Sequence, residues 1–302
     1  MTMLSRRDLC VTAGQVIVAT GLAGPAMAQR PRSGVPRAEE VASALAGLGS
    51  TELLAGDPGA SVAGVALIAD PSLAALRKAV AAGCSLIVSP ETPFYGKPAD
   101  PAASGPFTAM AEAAAKALRE SPAFRAKQAL IAEHKLTIYR VAPRAEGGAD
   151  TSVEALAGQF GWSGNRIAGA HPIYRPPALT LAALVALAHQ RLGANGGLRF
   201  IGDPALRLSS VLLVPGTAEA VSTTQGLRHA DALLTGDMRE WELVEYVHDS
   251  AEAGFPKGLV ATGRILSEQP FVERCALAVK QAFPHVKLQS LLSADPFWRA
   301  QA

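Results

Sequence analysis

Apolar and polar positions along the chain fall into blocks that switch between two periods. Short, nearly unbroken apolar runs at 62–69, 85–88, 136–141, 198–201, 210–214, 230–235 and 258–262 have the length and branched content of strands. Between them, apolar positions recur every three or four residues, which predicts helices over 38–48, 72–82, 107–133, 152–160, 179–192, 238–253 and 270–282. The switches carry the usual punctuation. Asp70-Pro71 closes one run, Ser72 or Asp70 can cap the helix that follows, and Gly83 ends it. This alternation argues an α/β fold with mixed sheets and helices on their faces. Ligands in such folds gather where strands end, which singles out the loops after Val88, Val141, Thr235 and Thr262.

The first residues follow a different pattern. Arg6-Arg7 precede an apolar run rich in Gly and Ala, and Ala26-Met27-Ala28 offers a small-residue cleavage site. Residues 1–28 therefore read as a twin-arginine signal peptide, cut before Gln29, with a retained anchor as the second choice. The expectation is export to the periplasm. Residues 29–37, rich in Pro, Arg and Gly, read as a linker, and 38–302 as the folded part.

The chain has 302 residues, 28 basic and 26 acidic, for a net charge of +2. With part of that surplus in the leader and linker, the rest is close to neutral. That leaves no electrostatic footprint for nucleic acid or for anionic lipid, so neither is an expected partner. Of three cysteines, Cys10 leaves with the leader. Cys84 and Cys275 either pair with each other or remain two buried thiols.

The chain has no nucleophile elbow, P-loop, His-Glu-x-x-His or Cys-x-x-Cys motif. Six histidines, at 134, 171, 189, 229, 248 and 285, are scattered without ligand spacing. Carboxylates at strand ends remain. Glu91 follows a strand and lies between Pro90 and Pro93, and Glu268 follows another strand in the stretch GRILSE of 263–268. Asp237 and Glu240 have the spacing of a capping box.

At these loops the chain resembles the Nif-three-like dinuclear metal-centre hexameric proteins, also called GTP cyclohydrolase one type two homologues. The stretches that carry the resemblance are VAGVALIAD at 62–70, LIVSPETPFY at 86–95, LTIYR at 136–140, FGW at 160–162, ADALLTGDMREWELVEY at 230–246, GRILSE at 263–268 and DPF at 295–297. The resemblance implies two similar α/β lobes with mixed sheets flanked by helices, a homo-oligomer that is often a hexamer, and two divalent metal ions between the lobes. Imidazole and carboxylate donors suit such metals.

Residue by residue the site departs from that pattern. Where the family has His-His or His-Glu, this chain has Pro90 and Glu91. Where a related branch has His-Asp, it has Ala142 and Pro143, and where the family has Gly-His it has Gly263-Arg264. Only Glu91 and Glu268 match metal-ligand positions, and Asp237, Arg264, Arg140 and Tyr95 complete the expected cleft. Two carboxylates suit at most a weakly bound Mg²⁺ or Ca²⁺, so the expected cofactor is none or a weakly held divalent metal. Arg264 would repel a dication and pair with Glu91 or Glu268 instead. Two functions follow. One is a binding or scaffold protein that takes a small anionic ligand against Arg264 and Arg140. The other is a metal-dependent hydrolase with Glu91, Glu268 and Asp237 as ligands. The first needs no imidazole. A third reading, that only the fold is shared, also stands.

Overall fold

The structure, a computed structural model, describes residues 34–94, 106–143, 150–193 and 197–291, with 106–112 in backbone only. The expected signal peptide, most of the linker, Tyr95 and the 295–297 motif lie outside the described residues.

The first half builds α1 (Ala38–Ser43), β1 (Ser50–Ala55), β2 (Val65–Ile68), α2 (Leu73–Ala81), β3 (Leu86–Ser89), α3 (Pro106–Arg119), α4 (Pro122–Glu133) and β4 (Thr137–Ala142). The second half continues with α5 (Thr151–Gln159), β5 (Ile173–Tyr174), β6 (Leu179–Thr180), α6 (Leu181–Leu192), β7 (Arg199–Ile201), β8 (Arg207–Leu208), β9 (Val211–Ala218), α7 (Ala220–Leu227) and β10 (Ala232–Met238). A π-helical turn, Glu240–Val244, leads into α8 (Glu245–Glu252), followed by β11 (Gly258–Ala261), α9 (Arg264–Ala282) and β12 (Leu288–Leu291).

Two five-stranded mixed sheets result, ordered β1-β4-β3-β2-β12 and β5-β9-β10-β11-β7, with β6 and β8 as a separate ribbon. Each has a parallel centre and an antiparallel edge: β1 runs against β4, while β5 and β7 run against β9 and β11. The central strands are buried on both faces, so they read as continuous apolar runs rather than alternating ones.

Strand alternation divides the first sheet's core in two. Val65 and Leu67 of β2 face α1 and α9, where they meet Val41, Leu45, Phe271 and Val279. Ala66 and Ile68 face the other way, onto Leu76 of α2 and Ile131 of α4. Cys275 belongs to the first of these layers and Cys84 to the second, so a sheet separates the two sulfurs and both are free, buried thiols. Burial pushes both thiols up, that of Cys275 to about 12.

Several boundaries differ from the sequence pattern. The expected long helix over 107–133 is two helices. Ser121 stops the first and caps the second, accepting the Phe124 N–H at 3.2 Å, with Pro122 in the first helical position. The pattern missed β1, whose sequence STELLA is polar and largely exposed at a sheet edge, and it missed α7 and β12. No Asp237–Glu240 capping box forms. β10 runs through Asp237, the N-cap is Arg239, and Glu240 pairs with Arg199.

The largest correction bears on function. α9 begins at Arg264, not near Pro270, so Arg264 and Glu268 share a helical face one turn apart. This helix also carries the chain from β11 of the second sheet back to β12 of the first. Its N-terminal turn therefore lies where the ends of strands from both sheets meet.

Candidate functional site

The C-terminal ends of β9, β10 and β11 close around the start of α9, and glycine makes this possible. A Cβ on Gly236 would collide with the Gly216 carbonyl oxygen and the Ser267 hydroxyl. Gly216, at φ +73°, gives its N–H to Ser267 Oγ at 2.9 Å, and a Cβ there would press on the Glu268 carboxylate at 3.0 Å. Ser267 Oγ in turn donates to the Arg264 carbonyl at 2.8 Å. Thr262 and Gly263 fasten the same junction to β10, through bonds to the Thr235 and Gly236 carbonyls of 2.9 and 2.8 Å.

The first sheet supplies acids to this point. Asp70 follows β2 and Glu91 follows β3. With Ser72 as the N-cap of α2, accepting the Ala75 N–H at 3.3 Å, the Asp70 carboxylate is not needed for capping. It accepts Arg264 Nη2 at 2.9 Å instead. Arg264 Nη1 lies 3.2 Å from Glu268 Oε2 and 4.0 Å from Glu91 Oε1. One guanidinium thus gathers three carboxylates from three separate segments. Burial alone would lower its pKa, but Glu268, Glu91 and Asp70 outweigh that and hold it above its usual value.

Two further cations fix the surroundings. Lys127 of α4 is buried, and its Nζ donates to the Pro93 carbonyl at 2.8 Å. Burial lowers its pKa, while the charge of Asp70 works the other way. Arg140 of β4 donates from Nε to the Pro90 carbonyl at 3.1 Å, and its Nη1 lies 3.6 Å from Glu52 of β1. Both therefore tie down the loop that carries Glu91.

The structure brings Glu91, Arg264 and Glu268 together, with Arg140 one loop away. Asp237 stays apart: its side chain is exposed and accepts the Met238 N–H at 2.9 Å. No histidine joins the ion pairs of Arg264. The two histidines that do meet, His171 and His229, stack on each other with ring centroids 6.4 Å apart. The sequence pattern missed Asp70, taken only as a possible cap, and Lys127, hidden in an Ala-rich helix.

A pair of transition metals does not fit the residues present. Carboxylates bind metal through lone pairs that here face a guanidinium, and a fixed positive charge sits among them. Among the described residues no group of three or more His, Cys, Asp and Glu is arranged to hold a metal ion. Nor are the two arginines free for an anion: both are engaged within the protein, Arg264 by three carboxylates and Arg140 by Glu52 and the Pro90 carbonyl.

Comparison with solved structures places the fold. A Bacillus cereus protein related to NIF3 superposes with a TM-score of 0.66 at 13% identity, covering 89% of this chain and 100% of that one. The hypothetical protein SA1388 of Staphylococcus aureus gives 0.63 at 15% identity, covering 87% and 99%. Reduced HcgD from Methanocaldococcus jannaschii gives 0.61 at 12% identity, covering 86% and 99%. No protein-family model and no curated protein matches the chain. At these identities the likeness establishes a NIF3-like fold over nearly the whole chain, and the fold alone.

Proposed function

We propose that this chain is a non-hydrolytic binding or scaffold protein in which Arg264 stands where a NIF3-like relative would place metal. The observation that carries this reading is the guanidinium at 2.9–3.2 Å from Asp70 and Glu268, with Glu91 at 4.0 Å. A guanidinium neutralises buried acids as a cation does, but it offers no open coordination position and cannot lower the pKa of a water. The cluster lies at the strand ends, the location at which α/β folds bind ligands, and its three acids favour a small neutral or cationic ligand over an anion. On the same reading, residues 1–28 send the folded chain to the periplasm and the working form is a homo-oligomer.

Elemental analysis of the protein purified without chelator tests the reading. The expected content of Mn, Fe and Zn is far below one ion per chain, with no phosphatase or esterase activity when Mn²⁺, Mg²⁺ or Zn²⁺ is added. Two tightly held transition-metal ions per chain would overturn it in favour of the metal-dependent hydrolase.

A further inference from the structure

A recess is lined in part by Thr92 and Phe94 of the loop that carries Glu91. It has a volume of about 990 Å³, at the upper end of small-ligand pockets, which run from roughly 300 to 1,000 Å³. Its apolar wall is Phe94, Phe124, Ile131 and Leu136, and the two rings are tilted by 56° with centroids 5.6 Å apart. Two cations, Arg119 and Lys135, lie on the rim. The acid on that rim, Asp57, is turned into its own loop, where it accepts the Gly59 N–H at 2.8 Å.

Lys135 sits in an uncommon backbone state. It follows α4 with φ +50°, in the left-handed region, while Leu136 N–H closes the turn on the Ile131 carbonyl at 3.0 Å. Glycine is the usual residue in such a helix-terminating turn. Among the described residues it is the one non-glycine with positive φ. Its charge suits the negative end of α4, but a lysine elsewhere in the last turn would serve that end without the backbone cost. A residue kept in a sparsely populated state beside a pocket points to use of its side chain.

We propose that this recess binds a medium-chain carboxylate, with its hydrocarbon chain along Phe94, Phe124 and Ile131 and its carboxylate at Lys135. The complementarity is of both kinds: an apolar wall for the chain, and an excess of positive charge on the rim for the head. The proposal rests on residues separate from the Arg264 cluster, so it stands or falls independently of the reading above.

Calorimetric titration of the whole protein with octanoate, hexanoate, octan-1-ol and octylamine tests it. Octanoate is expected to bind at a single saturable site. Hexanoate should bind more weakly, by about fourfold per methylene removed, octan-1-ol by about tenfold for the lost charge-assisted contact, and octylamine most weakly. Ala132→Trp, which fills the recess from an exposed helix position, should abolish octanoate binding without changing the circular dichroism spectrum. Lys135→Gly separates use from mere structure: it should stabilise the turn and bring octanoate affinity close to that of octan-1-ol. Equal binding of octanoate and octylamine, unchanged binding in Ala132→Trp, or no binding of octanoate at millimolar concentration would each overturn the proposal.

Discussion

Acids in this chain are held in two opposite ways. Asp231 sits at the start of β10 and receives four hydrogen bonds on one oxygen, from the N–H and hydroxyl of Ser209 and of Ser210, at 2.7–3.0 Å. Burial pushes its carboxyl up, but these neutral donors outweigh it, and the net shift is downward. Asp70, Glu91 and Glu268 instead share one guanidinium. The first arrangement is local, nearly saturated and confined to the starts of two neighbouring inner strands, β9 and β10. The second joins segments 194 residues apart and centres on one guanidinium, with the buried Lys127 also acting on Asp70. An acid held by many neutral donors is an anchor. Acids gathered around a removable cation form a site, because whatever replaces the cation inherits them.

The comparison breaks most sharply at Arg264. Arg264→Ala leaves three acids around a missing charge. Loss of one partner from a buried ion pair costs about 3–5 kcal/mol. The side-chain exposures of 29% for Arg264 and 32% for Asp70 reduce this to about 2–3 kcal/mol. The melting temperature of the variant should then rise when Mn²⁺ or Ca²⁺ is added, while that of the wild type does not move. Equal cation responses in the two proteins would mean that the acids are not released by removing the guanidinium.

Asp231→Ala tests the other side. Losing the shared acceptor should cost about 2 kcal/mol in urea denaturation, with no cation able to restore it. Its pH dependence has a fixed sign. The folded carboxyl lies below its usual value near 3.9, so the folded state binds the proton more weakly than the unfolded chain. The stability it supplies is complete above that usual value and is lost as pH falls through the folded pKa. Below about pH 4, Asp231→Ala should therefore show a shallower loss of stability than the wild type. Parallel acid limbs would sink the anchor assignment.

The smallest effect belongs to Glu91, whose oxygen is 4.0 Å from Arg264 and makes an ion pair without a hydrogen bond. Glu91→Gln should change stability by less than about 1 kcal/mol, against a larger loss for Asp70→Asn at 2.9 Å. A reversal of that order would show that the loop after β3, not the bond to Asp70, carries the energy of the cluster.

Much of the fold was legible, because buried parallel strands are continuous apolar runs and the helices between them keep their period. The failures share a cause. β1 is a polar edge strand that becomes a strand only by pairing with β4. The start of α9 was hidden by Pro270, which resembles a helix start but sits inside the helix here. Glu91, Glu268 and Arg264 could be named from strand ends and a resemblance. Asp70 could not, because the same aspartate is an adequate helix cap until Ser72 is seen to do that work.

The sequence by itself determined the α/β alternation and the acids at strand ends, since these follow from local period and residue identity, and the family resemblance added the arginine among them. Only the tertiary structure decided that α9 crosses from one sheet to the other and lays Arg264 against Asp70. It likewise decided that Asp237 turns away and that Cys84 and Cys275 lie on opposite faces of one sheet. Periodicity fixes which face a residue shows, but the partner on that face comes from distant chain, and no local pattern encodes the distance between them.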